Sequence, residues 1–374
     1  VEFTTPIESN SVVIRYSIPD TQQGKDQQIR DADIDLYVGD TKLKSLTFTN
    51  KYSHYYGGYP FNNNPSSGSP HHFYDTVRTL LDKTYPAGTK VKVQVSSTDK
   101  SPTFTIDLAD FELVGKPLEQ PAGSLSVVDA GADPTGKTDS TKAFQKAVDD
   151  GKGQQKTVWI PQGTYLLYDH VIVDGVTITG AGPWYSVLGG RHPQDKSKSG
   201  GIFGKYDADI PGGSKNVHLS NFAIIGDIRE RNDNAPTNAV GGSLSDSTID
   251  NLWLQHVKCG GWFDGKMNNL VIKNTRIEDT TADGVNFHKG VTNCVVQNSF
   301  IRNTGDDGLA MWSEQFPNKN NKFINNTVGI PILANNIAIY GGTDIEVSDN
   351  FVYDTITNGG GLHVSNRYNG VVGE

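Results

Sequence analysis

Short apolar runs with period-two alternation dominate this chain, each closed by Gly, Pro, Asp or Asn. Over the first 114 residues such runs occupy 11–18, 34–38, 91–95 and 103–108. Each offers one apolar face, which predicts a β-sandwich over 1–114. One stretch breaks the pattern: 74–83 places Val77, Leu80 and Leu81 at helical spacing and predicts a helix. Residues 115–123 hold two prolines and little apolar content, so they predict a linker.

From residue 124 the pattern changes. Asp139 is positioned as an N-cap for a short helix that buries Ala143, Phe144, Ala147 and Val148 and stops at Gly151. A strand–turn–strand unit follows over 157–167. Beyond residue 170 a weak repeat sets in. Asn216, Asn251, Asn269, Asn293 and Asp344 each open a unit in which an alternating strand is followed by a polar turn. A unit of roughly 20–27 residues built from strands predicts a parallel β-helix over 124–374, with like Asn side chains stacking at the turns. A second ladder runs in phase through 284–288, 308–312, 336–340 and 361–365. Alternation turns Val285, Phe287, Leu309, Met311, Ile337, Ile339, Leu362 and Val364 inward. The outward face then carries Asn286, His288, Ala310, Trp312, Ala338, Tyr340, His363 and Ser365. The fold class is therefore all-β.

Composition agrees. The 374 residues suit two or three domains, and 41 Gly, 17 Pro and only 20% charged residues exclude a coiled coil or helical bundle. No apolar run approaches the ~18 residues of a membrane-spanning helix. A net charge of −9 without a basic block argues against a nucleic-acid partner and suits a neutral ligand. Cys259 and Cys294 set no disulfide framework and read as two buried thiols. The chain opens on Val1 with no initiator Met and no secretory leader, so a processed or trimmed chain is expected.

Three acids concentrate the candidate chemistry. Asp283 and Asp307 each precede the Gly that opens a ladder strand, one coil apart, and Asp306 precedes Asp307. Coils stacked at ~4.8 Å bring the first two carboxylates about one strand spacing apart, with the third offset. Such a trio suits an inverting glycoside hydrolase, in which one acid protonates the glycosidic oxygen and carboxylates activate water. The geometry favours Asp306 as the acid and Asp283 with Asp307 on the water, with Asp306 and Asp307 exchangeable. The competing reading is that Asp-Gly and Asp-Asp-Gly are turn residues alone. The aromatic file beside the acids weighs against it, since Trp312 and Tyr340 can stack on sugar faces. Asn286, His288, His363 and Arg367 complete the candidate substrate-binding set, with His288 able to contact substrate or to support Asp283. No spacing of metal ligands, no phosphate-binding Gly loop and no nucleophile elbow is present in the sequence. No cofactor is required, while a structural Ca²⁺ is compatible with the sequence.

The stretch 126–167 resembles the N-terminal turn of pectin-lyase-like right-handed β-helices. More narrowly, Asp283, Asp306 and Asp307 resemble the catalytic trio of the bacterial α-1,3-glucanases (mutanases and mycodextranases) of glycoside hydrolase family eighty-seven. Residues 51–60 and 70–75 resemble the sandwich that precedes the β-helix in that family. The resemblance implies a secreted bacterial, inverting endo-hydrolase of α-1,3-glucan, with the three aspartates as its catalytic acids; a monomer, with no membrane partner, is expected. Family members run through further coils beyond the 361–365 strand, so either this sequence is shortened or its cleft wall lies elsewhere. The aromatic segment 52–74 reads as a packing surface, with independent glucan binding as the alternative. Rival functions are an α-glucanase of other linkage such as a dextranase, a polysaccharide lyase, and a non-catalytic glucan-binding β-helix of the adhesin or tail-fibre kind. An acidic chain suits a lyase of acidic polysaccharide poorly.

Overall fold

The computed structural model describes residues 1–20, 29–62, 64–69, 74–99, 101–368 and 371–373. The chain divides into two compact units, Val1–Lys116 and Pro117–Glu374.

The first unit has two antiparallel sheets. One orders its strands Glu2–Thr4, Lys90–Gln94, Asp31–Val38 and Thr41–Thr49; the other orders Asp75–Tyr85, Ser9–Ser17 and Thr105–Glu112. Val12, Ile14 and Tyr16 from one sheet meet Ile34, Leu36 and Phe48 from the other, and the Tyr16 and Phe48 rings stack at 3.8 Å. In Asp31–Val38 buried residues alternate with more exposed ones, while the central strand Ser9–Ser17 also buries Val13 and Arg15 on its other face. The helix expected over 74–83 is instead the strand Asp75–Tyr85, paired antiparallel with Ser9–Ser17. Thr76, Val77 and Thr79 favour a pleated surface, and a full-length partner strand outweighs a marginal helical periodicity. In the aromatic segment Tyr55, Tyr56 and Phe61 are buried while Tyr59 is exposed; Pro70, His71, His72 and Phe73 lie outside the described residues.

In the second unit the short strands Leu125–Ser126 and Thr135–Asp139 lead into the helix Thr141–Gln154, which buries Phe144, Ala147 and Val148. Its N-cap is Ser140, one residue beyond the expected Asp139, and it runs past Gly151 to a left-handed Gln155. Asp139 still serves the first turn, because its Oδ1 accepts from the Thr141 N–H and hydroxyl.

The remainder is a parallel β-helix. One eight-stranded ladder stacks His170–Val173, Gly201–Gly204, Val240–Gly242, Gly261–Asp264, Val285–His288, Leu309–Trp312, Ile337–Tyr340 and Leu362–Ser365. Two further ladders fuse into a 16-stranded sheet, because the long strands His218–Ile225 and Ser247–Gln255 belong to both. The interior is a continuous apolar column in which Phe287 lies 6.1 Å from Phe263 and 5.8 Å from Phe323. The Asn repeat marks the corners. Asn251, Asn293, Asn298, Asn320 and Asn325 adopt positive φ, which Asn tolerates better than other side-chain-bearing residues. Their amides link coil to coil: Asn251 donates to Asn221, Asn320 to Asn293 and Asn325 to Asn298, at 2.6–2.9 Å. Leu362 and Val364 keep the register of Ile337 and Ile339, but they are 56% and 69% exposed. No strand among the described residues pairs beyond theirs. Both cysteines are free and buried.

Candidate active site

The eight-stranded ladder sets the site's register. Val240, Gly261, Val285, Leu309, Ile337 and Leu362 occupy one level or its immediate neighbour on successive coils. Two residues before them stand Asn238, Cys259, Asp283, Asp307, Asn335 and Gly360. These form a file in which each backbone N–H donates to the side chain one coil earlier. The Cys259 N–H donates to Asn238 Oδ1 at 3.2 Å, and that of Asp283 to the Cys259 thiol. Asp307 then donates to Asp283 Oδ1 at 3.1 Å, Asn335 to Asp307 Oδ1 at 2.8 Å, and Gly360 to Asn335 Oδ1 at 3.0 Å. Asp283 and Asp307 are thus two acidic rungs of a file that ends in a neutral amide. Parallel stacking holds the two carboxylates side by side with little freedom.

Asp306 projects differently from its neighbour. Oxygens of the Asp283, Asp306 and Asp307 carboxylates all lie within 4.8 Å of one another. Asp283 and Asp307 are buried; Asp306 keeps 19% of its side chain exposed. Asn286 donates from Nδ2 to Asp283 Oδ2 at 2.7 Å. Asn335 adds a side-chain bond to Asp307 Oδ1 at 2.8 Å, and the Tyr340 hydroxyl donates to Asp307 Oδ2 at 3.1 Å. Arg231 Nη1 reaches Asp306 Oδ2 at 2.6 Å.

Burial and crowding make Asp283 and Asp307 hold protons. Burial first, and then the Asp306 and Asp307 charges, keep Asp283 well above the usual carboxylate range, against Asn286 and Arg231. Burial and Asp306 push Asp307 up to about 7 despite its bonds from Asn335 and Tyr340. Burial and the neighbouring Asp307 likewise raise Tyr340, which therefore stays a neutral donor. Cys259 is pushed up to about 12 by burial and by Asp283, so it stands as an uncharged thiol. Asp283 and Asp307 stand close enough that their titration steps belong to the pair rather than to either residue. The result is a proton reservoir working near neutral pH beside carboxylate oxygens. The same oxygens could in geometry ligate a cation, although Arg231, Asn286, Asn335 and Tyr340 already supply them with donors.

The other sequence-derived candidates divide into groups. Asn286 and Tyr340 touch the trio. His288 does not support Asp283. It lies at the far end of its strand, where Nδ1 faces Asp264 Oδ1 at 3.0 Å and Nε2 faces Glu314 Oε2 at 3.1 Å. Its ring lies over Trp312 at 4.6 Å, with Trp262 on another side at 5.2 Å. Trp312 and Tyr340 both approach Tyr368, at 6.1 and 5.0 Å. His363 bonds Ser365 Oγ and lies 5.6 Å from the Tyr340 ring, two coils beyond Asp306 and Asp307. Arg367 is exposed, packs over Tyr368, and reaches none of the three carboxylates.

Sequence reasoning missed Arg231, Asn335, Trp262, Asp264 and Glu314. Asn335 was signalled, because it holds the ladder phase of Asp283 and Asp307. Arg231 sits in a charged run between strands, and nothing in the local pattern ties it to residue 306.

Comparison with known proteins agrees with this architecture. The model for "Alpha-1,3-glucanase catalytic domain D1" matches residues 1–114, and that for "Alpha-1,3-glucanase catalytic domain D2" matches 136–371. The chain is 41% identical to the catalytic unit of a thermostable GH87 alpha-1,3-glucanase from Streptomyces thermodiastaticus strain HF3-3, with a TM-score of 0.86. The match covers 100% of this chain and 64% of that one. The Agl-KA catalytic domain is 28% identical, with a TM-score of 0.90, and is covered to 66% by the whole of this chain. A preneck appendage protein of Bacillus phage PZA is 24% identical over 200 residues, which is 52% of this chain and 22% of the appendage protein. The chain thus spans about two thirds or less of each of these relatives. Taken with the sandwich, the parallel β-helix and the acidic rungs, the two matched domain models show that the chain belongs to the α-1,3-glucanase catalytic-domain family.

Proposed function

We propose that this protein hydrolyses α-1,3-linked glucan by inverting endo-attack, with Asp283, Asp306 and Asp307 as its catalytic acids. The observation carrying this reading is the convergence of three carboxylates within 4.8 Å on adjacent coils, in a chain of this family. Asp306 passes to the glycosidic oxygen the proton that the trio holds, taking it on its unpaired oxygen from Asp283 or Asp307, which is left as a carboxylate. Asp306 is the most open of the three, and its ion pair engages one oxygen only. Asp283 and Asp307, fixed side by side, hold and deprotonate the water. Trp312 and Tyr368 offer aromatic faces to the sugar, and Asn286, His288, Tyr340, His363 and Arg367 provide polar contacts along the same ladder. Insoluble glucan does not enter cells, so this reading carries an extracellular, secreted place of action. A neutral polysaccharide also suits the net charge of −9.

The close spacing bears on stereochemistry. Inverting enzymes with a single acid–base pair keep roughly 6.5–9.5 Å between carboxyl groups to make room for water. Inversion here therefore relies on a water held at the edge of the Asp283–Asp307 pair rather than between acid and base. The anomer of the first product decides the point: a β-configured reducing end means inversion, an α-configured one retention.

The roles are tested with Asp→Asn variants on α-1,3-glucan and on nigerosyl fluoride, whose leaving group departs without protonation. Asp306→Asn is expected to lose about 10²–10⁴-fold on glucan and to recover on the fluoride. Asp283→Asn and Asp307→Asn are expected to lose activity on both. Recovery by Asp307→Asn instead of Asp306→Asn exchanges the two roles. Release of sugar from α-1,6-glucan alone points to a dextranase, and glucan binding without new reducing ends to a non-catalytic module.

A further inference from the structure

The loop 226–239, between strands His218–Ile225 and Val240–Gly242, does more than connect coils. It is fastened at several points. Arg191 pairs with Glu230 through two bonds of 3.1 and 2.6 Å. Lys258, itself buried, donates to the carbonyls of Ala235 at 2.6 Å and Asp233 at 3.3 Å. The Lys258 N–H donates to the Thr237 carbonyl at 2.9 Å. Between these anchors Arg231 extends with 9% of its side chain exposed, its Nε on Asp233 Oδ1 at 2.8 Å and its Nη1 on Asp306 Oδ2 at 2.6 Å.

We propose that Arg231 is a positioning residue for the carboxylate trio: from a locked loop it aims Asp306 and holds a fixed counter-charge against the crowded carboxylates. This rests on the hydrolase reading and deepens it. The guanidinium fork is planar and retains its charge, so a loop that fixes it fixes the carboxylate it grips. Burial works against the Arg231 charge, but Asp306 and Asp233 more than compensate and hold it cationic. Its charge also opposes proton uptake at Asp283. The groups facing Asp306 are Asp283 and Asp307 on the ladder coils, Arg231 and Asp233 on the loop, with Lys258 and Cys259 behind Asp283 and Tyr340 on the following coil. Arg231 is the cation bonded to Asp306 among the described residues. The Asp306 carboxylate is paired in the resting site and stays paired once a proton has passed through it, so the negative charge of the trio meets a placed counter-charge.

The experiment compares wild type, Arg231→Gln and Arg231→Lys in two measurements on the whole chain. Carboxylate titration is followed by NMR with ¹³C-labelled Asp, and kcat and KM are measured against pH on a soluble α-1,3-gluco-oligosaccharide. Arg231→Gln is expected to move the trio's titration and the alkaline limb of kcat upward together, by about one pH unit, and to lower kcat about 10²-fold with little change in KM. Arg231→Lys is expected to restore the pH profile but only part of kcat, because the charge returns without the fork. A trio that titrates identically in folded Arg231→Gln overturns the proposal, as does a shifted titration with unchanged kcat. Thermal melts of the three proteins identify a variant that has failed to fold, and Arg231→Lys then decides. Failure of the hydrolase reading shows separately, as a wild type that releases no sugar, and the NMR titration then judges Arg231 alone.

Discussion

At the scale of single residues, the acids are held against their own preference. A carboxyl group in water releases its proton near pH 4, whereas Asp307 is held up to about 7 and Asp283 well above the usual range. The consequence for stability has a definite sign. Between about pH 4 and pH 7 the native state binds protons that the unfolded chain has lost, so these groups favour folding below that window. Their contribution is lost as pH rises through it, and above pH 7 the fold carries buried, mutually repelling charge. Asp307→Asn removes one of those charges. It is expected to raise stability by about 1–3 kcal/mol at pH 8 relative to wild type while abolishing activity, the trade expected at a strained functional site. At pH 4 the gain should vanish or reverse, because the wild-type carboxyl is then neutral. Melting curves at the two pH values check this; an equal shift at both would show that the charge is not what costs stability.

Elements explain why some of this was readable in advance. The ladder strands declare themselves by alternation, and the phase that buries Val285, Leu309 and Ile337 also aligns Asp283 with Asp307. The strand Asp75–Tyr85 was not legible, because its three apolar residues satisfy a helical period as well and only its pairing with Ser9–Ser17 settles the matter. The Arg231 loop was not legible for a different reason: its contacts cross 75 residues of sequence to Asp306 and follow no period. Asn335 falls between these cases, in phase with the acids but without a charge to draw notice. Its backbone and side-chain N–H groups both bond Asp307 Oδ1. Asn335→Ala leaves the backbone bond and removes the other, along with the acceptor for Gly360. The expected cost is about 1–2 kcal/mol, together with an alkaline shift of the activity profile, since a bond that favours the charged form of Asp307 is gone. Melting and pH–rate curves measured on one preparation test both parts; loss of stability with an unmoved profile would confine Asn335 to a structural role.

For the whole molecule, the decisive property is that a β-helix is nearly one-dimensional. Each coil rests on the coils before and after it, so a site in mid-stack is braced on both sides, while the last described strand is braced on one. The acids occupy coils whose interior positions are filled by Phe287 and Met311, both buried, and the strands Gly261–Asp264 and Ile337–Tyr340 flank them. Val364 lies in the same internal file but is largely exposed. Two substitutions in this file should therefore behave very differently. Phe287→Ala empties the column directly under the strand that bears Asn286, at an expected cost of about 3–5 kcal/mol. Activity should fall with it, because the Asp283–Asp307 spacing depends on coils that stay in contact. Val364→Ser changes a side chain that water already reaches, so stability should move by no more than about 0.5 kcal/mol and the rate hardly at all. Denaturant titration of both variants beside their rates on glucan makes the comparison. Equal costs at the two positions would mean that stability is pooled along the helix rather than held between neighbours, and the placing of the acids in mid-stack would then need another cause.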